Sequence, residues 1–299
     1  MMRTKITSIC ALLCSSFLLA AAFIPTRYLG TQGVGVFSEI FIRYLVPACI
    51  LALFFPHCMR TVSRRALLQS MLTGILLWIA LIFAIYGIRT IEYASMGLLL
   101  VTLYVLLVPL ATTVIDKKMP SLRLLMCATL CFCGLALLII GKPLGTPNLG
   151  TLLCFLASIF YASYLLVSSH ILDTKLSAYS LHFYQSITLA ILSIPGMIFI
   201  EDSSLITIIQ ESSHRTPLLI SLAFIGFFIG FITYQCLFYG QKYLAPTLVV
   251  IILSTKNAFG AILDITIFNL PIEGIQYLAY GIVIIATGIA SLSPNGTKS

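Results

Sequence analysis

The stretch NLGTLLCFLASIFYASYLLVSSHI, residues 148–171, decides the fold. It carries no Asp, Glu, Lys or Arg over 24 positions. A helix rises about 1.5 Å per residue, so about 20 apolar residues cross the hydrocarbon core of a bilayer. The stretch reads as one transmembrane helix, and similar runs recur on both sides of it. Ten spans are expected, at roughly 6–25, 37–56, 66–88, 92–115, 121–140, 149–169, 178–200, 217–239, 243–267 and 275–292. Short breaks rich in Pro, Gly and charge separate them, such as PHCMRTVSRR, IDKKMPS and GKPLGTPN.

Composition agrees. Of 299 residues, 60% are hydrophobic and 9% charged, with mean hydropathy +1.09. A soluble domain is about 25% charged. The net charge of +8 is spread in small clusters between spans, with no basic face or long basic run, which excludes a nucleic-acid binder. It reads instead as topology. With the N-terminus inside, eleven basic residues fall on the inner side (Arg3, Lys5, Arg60, Arg64, Arg65, Lys117, Lys118, Arg123, Lys175, Lys242, Lys298) and four outside (Arg27, Arg89, Lys142, Arg215). That bias places both termini in the cytoplasm. The first 23 residues also have the features of a signal peptide, but the repeat favours retention as the first span.

The halves resemble each other weakly. LLC at Leu12–Cys14 opens the first span and LLC at Leu152–Cys154 the sixth. GLALLIIG (Gly134–Gly141) matches GIVIIATG (Gly281–Gly288), and YAS from Tyr93 matches YLAPT from Tyr243. Five spans per half is an odd number, so the second half must run inverted. Inverted repeats characterise carriers that alternate access around a midplane site. The expected fold class is all-α integral membrane, with ten transmembrane helices as two inverted five-helix repeats, residues 1–145 (helices 1–5) and 146–299 (helices 6–10).

On these residues the chain resembles the EamA-like branch of the drug/metabolite transporter superfamily. NLGTLLCFLASIFYASYLLVSSHI looks like the opening of the second EamA repeat, and IEYASMGLLLVTLYVLLVPLATTVIDKKMPS (Ile91–Ser121) like the fourth span. FSEIFIRYLVPA (Phe37–Ala48) is similar to the arginine-containing second span. The resemblance covers nearly the whole chain and implies a carrier of small organic solutes that uses no ATP. It departs in the ninth span, where Lys256-Asn257 replaces the Glu-Pro or similar pair of many relatives.

Other chemistries lack their residues. There is no phosphate-binding G-x-x-x-x-G-K-[ST], no HExxH and no G-x-S-x-G elbow. Cys127, Cys131 and Cys133 lack companion His or acids, so they read as a small-residue helix face. The loop EDSSLITIIQESSHRTP, with Glu201, Asp202, Glu211 and His214, reads as a solvated outer loop rather than a surface active site. No catalytic residue, metal or cofactor is expected, and the chain is read as a transporter rather than an enzyme, with a membrane-embedded enzyme as a further alternative.

The candidate binding residues are polar or aromatic groups inside spans. Charges at the bilayer centre are costly and mark function or structure. Lys256 lies deep in the ninth span, on one stripe with Gly260 and Asp264. It can meet a substrate carboxylate or phosphate, or bond backbone carbonyls or a distant acid such as Glu39. Asn257 adds polarity, and Gly260 leaves space beside the ammonium. Glu39 and Arg43, four residues apart, can pair on one face or contact substrate. Trp78, Tyr104, Tyr161, Tyr164 and Tyr234 are candidate cavity walls, with Gln235 and His182 adding polar contacts. Gly226-x-x-x-Gly230 is a close-packing motif. The expected cargo is an amino acid or derivative, anionic or zwitterionic, with S-adenosylmethionine or a nucleoside-type metabolite as the alternative. The expected setting is the inner membrane. The expected partners are that metabolite and the lipid bilayer, with homodimerisation left open.

Overall fold

The computed structural model describes residues 2–59, 63–90, 100–116, 121–137, 149–173, 176–201, 205–211, 215–268 and 274–292. Every regular element among them is helical. In chain order these are α1 (Met2–Ala21), α2 (Phe23–Thr31), α3 (Val36–Phe54), α4 (Arg64–Thr90), α5 (Tyr104–Asp116), α6 (Leu122–Leu137) and α7 (Leu149–Asp173). They continue with α8 (Ala178–Phe199), α9 (Leu205–Glu211), α10 (Arg215–Phe224) and α11 (Thr233–Tyr243), then α12 (Pro246–Leu253), α13 (Lys256–Phe268) and α14 (Gly274–Ser291). A π-helical segment, Ile225–Ile232, joins α10 to α11.

Among the described residues, six helical stretches are long and apolar enough to cross a membrane: Arg3–Thr31, Val36–Phe54, Arg64–Gly87, Leu149–Leu172, Ala178–Phe199 and Arg215–Tyr243. Four shorter apolar helices, Leu100–Val114, Leu122–Gly134, Pro246–Gly260 and Tyr277–Ser291, accompany them. The chain is a multi-pass, all-helical membrane protein. Its outside is greasy where a soluble protein would be polar: Phe54, Val114, Leu122, Phe199, Leu278 and Ile285 are all exposed. Helices suit this setting because they satisfy their own backbone hydrogen bonds away from water.

Packing pairs distant parts of the chain. The most extensive contact is α4 with α7, followed by α3 with α8, α6 with α14 and α1 with α11. Small residues set these distances. A Cβ on Gly87 would lie 2.6 Å from Cys154 Sγ, and one on Gly240 would lie 2.4 Å from Leu12. The expected Gly226-x-x-x-Gly230 contact is present, with both glycines against α3 at Val46 and Arg43.

Two of the expected spans are interrupted, and the start of the fourth, including Tyr93, lies outside the described residues. The eighth span contains the π-helical turn. The ninth is not continuous, because a turn at Ser254–Thr255 separates α12 from α13. Local hydroxyls cause this break by competing for backbone carbonyls. Ser254 Oγ donates to the Ile251 carbonyl at 2.6 Å, and Thr255 Oγ1 donates to that of Ile252 at 2.7 Å. Ser16 Oγ from α1 reaches the same Ile252 carbonyl at 3.1 Å. The carbonyls freed by the break are therefore bonded inside the bundle.

Candidate functional site

The break places Lys256 at the first position of α13 and turns it toward α5. Its Nζ lies 5.1 Å from the centroid of the Tyr104 ring. A cation over an aromatic face is held by the ring quadrupole, more strongly when water is scarce. No carboxylate of a described residue pairs with this ammonium. Asn257 is committed locally: its Nδ2 donates to the Ser254 carbonyl at 3.1 Å and lies 3.5 Å from Thr102 Oγ1. A Cβ on Gly260 would meet nothing within 4 Å, so the expected space one turn along is present. The side chain of Asp264 lies outside the described residues.

Tyr104 leads to Tyr161 on α7, with ring centroids 6.3 Å apart. Tyr161 and Tyr234 lie within electrostatic reach of the Arg43 guanidinium. Arg43 is 7% exposed, and its Cζ stands 6.0 Å from the Tyr44 ring centroid. Tyr44 donates its hydroxyl to that of Tyr234 at 2.6 Å. Arg43 Nε is buried without a hydrogen-bond partner. Two cations, one from α3 and one from α13, thus adjoin a single tyrosine cluster built from α3, α5, α7 and α11.

Glu39 and Arg43 lie within electrostatic reach of each other, as their i, i+4 spacing allows. Glu39 accepts a hydrogen bond from Thr26 Oγ1 of α2 at 2.7 Å, while Arg43 faces the tyrosines. Both groups also meet partners from other helices. Trp78 stands in a separate group, donating from Nε1 to Ser193 Oγ at 3.1 Å and packing on Phe37 with centroids 6.3 Å apart. Gln235 Nε2 lies 2.9 Å from His182 Nδ1, and the His182 ring is enclosed by Phe231, Tyr234 and Phe238. Tyr164 is buried, within electrostatic reach of Tyr161 and Tyr234. Tyr44, which completes the cluster, was not among the sequence candidates, although its place directly after Arg43 on an apolar helix was a usable signal.

Glu201 corrects the reading of the outer loop as merely solvated. Its carboxylate turns inward onto the start of α3. Oε1 accepts from the Phe37 and Ser38 backbone N–H groups at 2.6 and 3.0 Å, and Oε2 accepts from Ser38 Oγ. A carboxylate there satisfies orphan donors and complements the helix dipole. Within the same loop, Leu205 of α9 is buried against Leu29, Val34 and Leu218. Glu201→Ala is expected to destabilise the protein by about 1–3 kcal/mol, as loss of charge-assisted bonds does. Glu201→Gln, which keeps an acceptor, should lose less. Unfolding midpoints of the purified variants in detergent measure both.

The arrangement has no nucleophile–base pair aimed at a common point. Its two cations and aromatic faces suit an anionic group beside a planar or apolar one. Comparison with known proteins agrees with a carrier. The model of the EamA-like transporter family matches residues 148–292. No curated protein matches the chain. A solved structure titled only as the crystal structure of a protein is 14% identical, with a TM-score of 0.73. The match covers 97% of this chain and 98% of that one, a likeness of fold.

Proposed function

We propose, from the membership of residues 148–292 in the EamA-like transporter family, that the chain is a secondary transporter of a small anionic or zwitterionic metabolite. The observation that carries the reading is the pair of interior cations, Lys256 and Arg43, beside one buried tyrosine cluster, with no described carboxylate side chain paired to Lys256. Buried charge is stabilised only when it is paired. A cargo carboxylate or phosphate is the partner that fits. The tyrosine faces favour a second reading, in which the cargo also carries a planar base, as S-adenosylmethionine or a nucleoside does.

Alternating access is the mechanism that ten spans in two inverted repeats would serve. The contact pattern supports that arrangement, since its most extensive contacts are kept when each span is exchanged for the one five places away. The first span packs on the eighth as the sixth packs on the third, and the second meets the eighth as the seventh meets the third. The LLC motifs follow the same exchange: Leu12 lies against Gly240 and Cys154 against Gly87. In this reading the repeats rock about the tyrosine cluster and expose it to either side in turn. The inner membrane, with both termini cytoplasmic, is the setting that the basic residues favour.

The test is counterflow in proteoliposomes holding the purified protein, screened over amino acids, nucleotides and S-adenosylmethionine. Saturable exchange of at least one anionic or zwitterionic solute is expected. Exchange confined to cations, or none with any solute, would overturn the reading.

A further inference from the structure

Beside the tyrosine cluster, α8 carries a second polar feature with no place in the reading so far. Gln185 and Ser186 are both fully buried, on a stripe with His182. Both amide atoms of Gln185 and the Ser186 hydroxyl lack hydrogen-bond partners. Opposite them stands Tyr164 of α7, 1% exposed, whose hydroxyl lies beside the Gln185 amide with no well-formed bond between them. The same hydroxyl is within electrostatic reach of Tyr161 and Tyr234, the residues that adjoin Arg43. Buried polar groups are nearly always bonded, because each unmade bond costs free energy. Several such atoms beside an aromatic cluster point to a binding arrangement rather than a packing one.

We infer that Gln185, Ser186 and Tyr164 form a neutral subsite that takes the uncharged polar end of the cargo, a planar edge that donates and accepts side by side. A primary amide binds such an edge with two bonds at once, as Gln does with the N6/N7 edge of adenine. The chemical class is therefore a carboxamide or an aminopurine on a solute whose charged end lies toward Arg43 and Lys256. This inference rests on the transporter reading and narrows it. A site built to hydrogen-bond a group rejects an analogue lacking it, because its own polar atoms stay unpaired.

The experiment uses the full chain in proteoliposomes and three solute pairs that differ mainly in this edge: asparagine and leucine, glutamine and methionine, adenosine and purine riboside. In at least one pair the edge-bearing member should exchange at least about tenfold faster at limiting concentration, and Gln185→Leu should bring that ratio to within about twofold. Thermal unfolding in detergent separates binding from a structural role. Leu fills the same space without unmade bonds, so the midpoint of Gln185→Leu should stay level or rise. A clear fall would make Gln185 structural and overturn the subsite. So would equal exchange of both members in every pair, preference for the member lacking the edge, or a ratio that survives Gln185→Leu. If none of the six exchanges while other solutes do, the subsite falls and the transporter reading stands. If no solute exchanges at all, both fall.

Discussion

Lys256→Ala should abolish counterflow of the anionic or zwitterionic cargo while leaving the protein folded. The ammonium has no carboxylate partner among the described residues, and its contact is the face of Tyr104. Removing it therefore breaks no ion pair among the described side chains. It does remove a positive charge from a half-buried position, where the partner left behind would be the cargo's own anion. Truncating one member of such a pair costs about 2–5 kcal/mol, or more than tenfold in kcat/KM. Lys256→Gln should fall nearly as far, since it keeps length and polarity but not charge. Glu39→Gln should lose less, because Glu39 is engaged by Thr26 on the side toward α2. The measurements are counterflow rates at limiting concentration and unfolding midpoints in detergent. Wild-type exchange by Lys256→Ala would remove the lysine from the site, and a larger loss in Glu39→Gln would move the site toward α2.

The features that set this site differ in how far the sequence exposed them. The apolar runs, the Gly226–Gly230 spacing and the depth of Lys256 are local properties, and they appear in the structure as apolar helices, six of them among the described residues long enough to cross a membrane, a close contact and an interior cation. The break before Lys256 was partly legible. LSTKN places Ser254, Thr255 and Asn257 within one turn, and their habit of bonding nearby carbonyls is a local signal for a break there. A search for continuous apolar spans passes over it because Ile251, Ile252 and Leu253 keep hydropathy high. Arg43 was legible only in part. Its i, i+4 neighbour was the only partner visible along the chain, whereas Tyr161 and Tyr234 arrive from α7 and α11, more than one hundred positions away. Glu201 is a similar case, because an acid after a helix reads as solvated until a helix start more than one hundred and fifty residues earlier comes to meet it.

The second large effect is expected at Gly230, and its cause begins with a proline. Pro47 lies inside α3 and has no N–H to give the carbonyl four residues before it, which is that of Arg43. That carbonyl faces the π-helical segment, and a Cβ built on Gly230 would lie 2.0 Å from it. Only a hydrogen fits there, and the glycine Cα–H supplies a weak bond to the freed oxygen. Gly230→Ala forces α3 and the π segment apart against backbone, where no flexible side chain can yield. A destabilisation of about 3 kcal/mol or more follows, at the upper end of what overpacking costs. The loss reaches the site as well, because the carbonyl belongs to the residue whose guanidinium meets the tyrosines. Counterflow should fall even in whatever fraction folds. Gly260→Ala is the control: nothing lies within 4 Å of its Cβ, and alanine gains up to about 1 kcal/mol over glycine in a helix. Detergent unfolding midpoints should drop sharply for Gly230→Ala and hold or rise for Gly260→Ala. Adding Pro47→Ala, which returns an N–H to the Arg43 carbonyl, should change the cost of Gly230→Ala, since two groups sharing one oxygen do not act additively. Strict additivity in that double-mutant cycle would mean that the close approach of Gly230 does not depend on the bond that Pro47 removes.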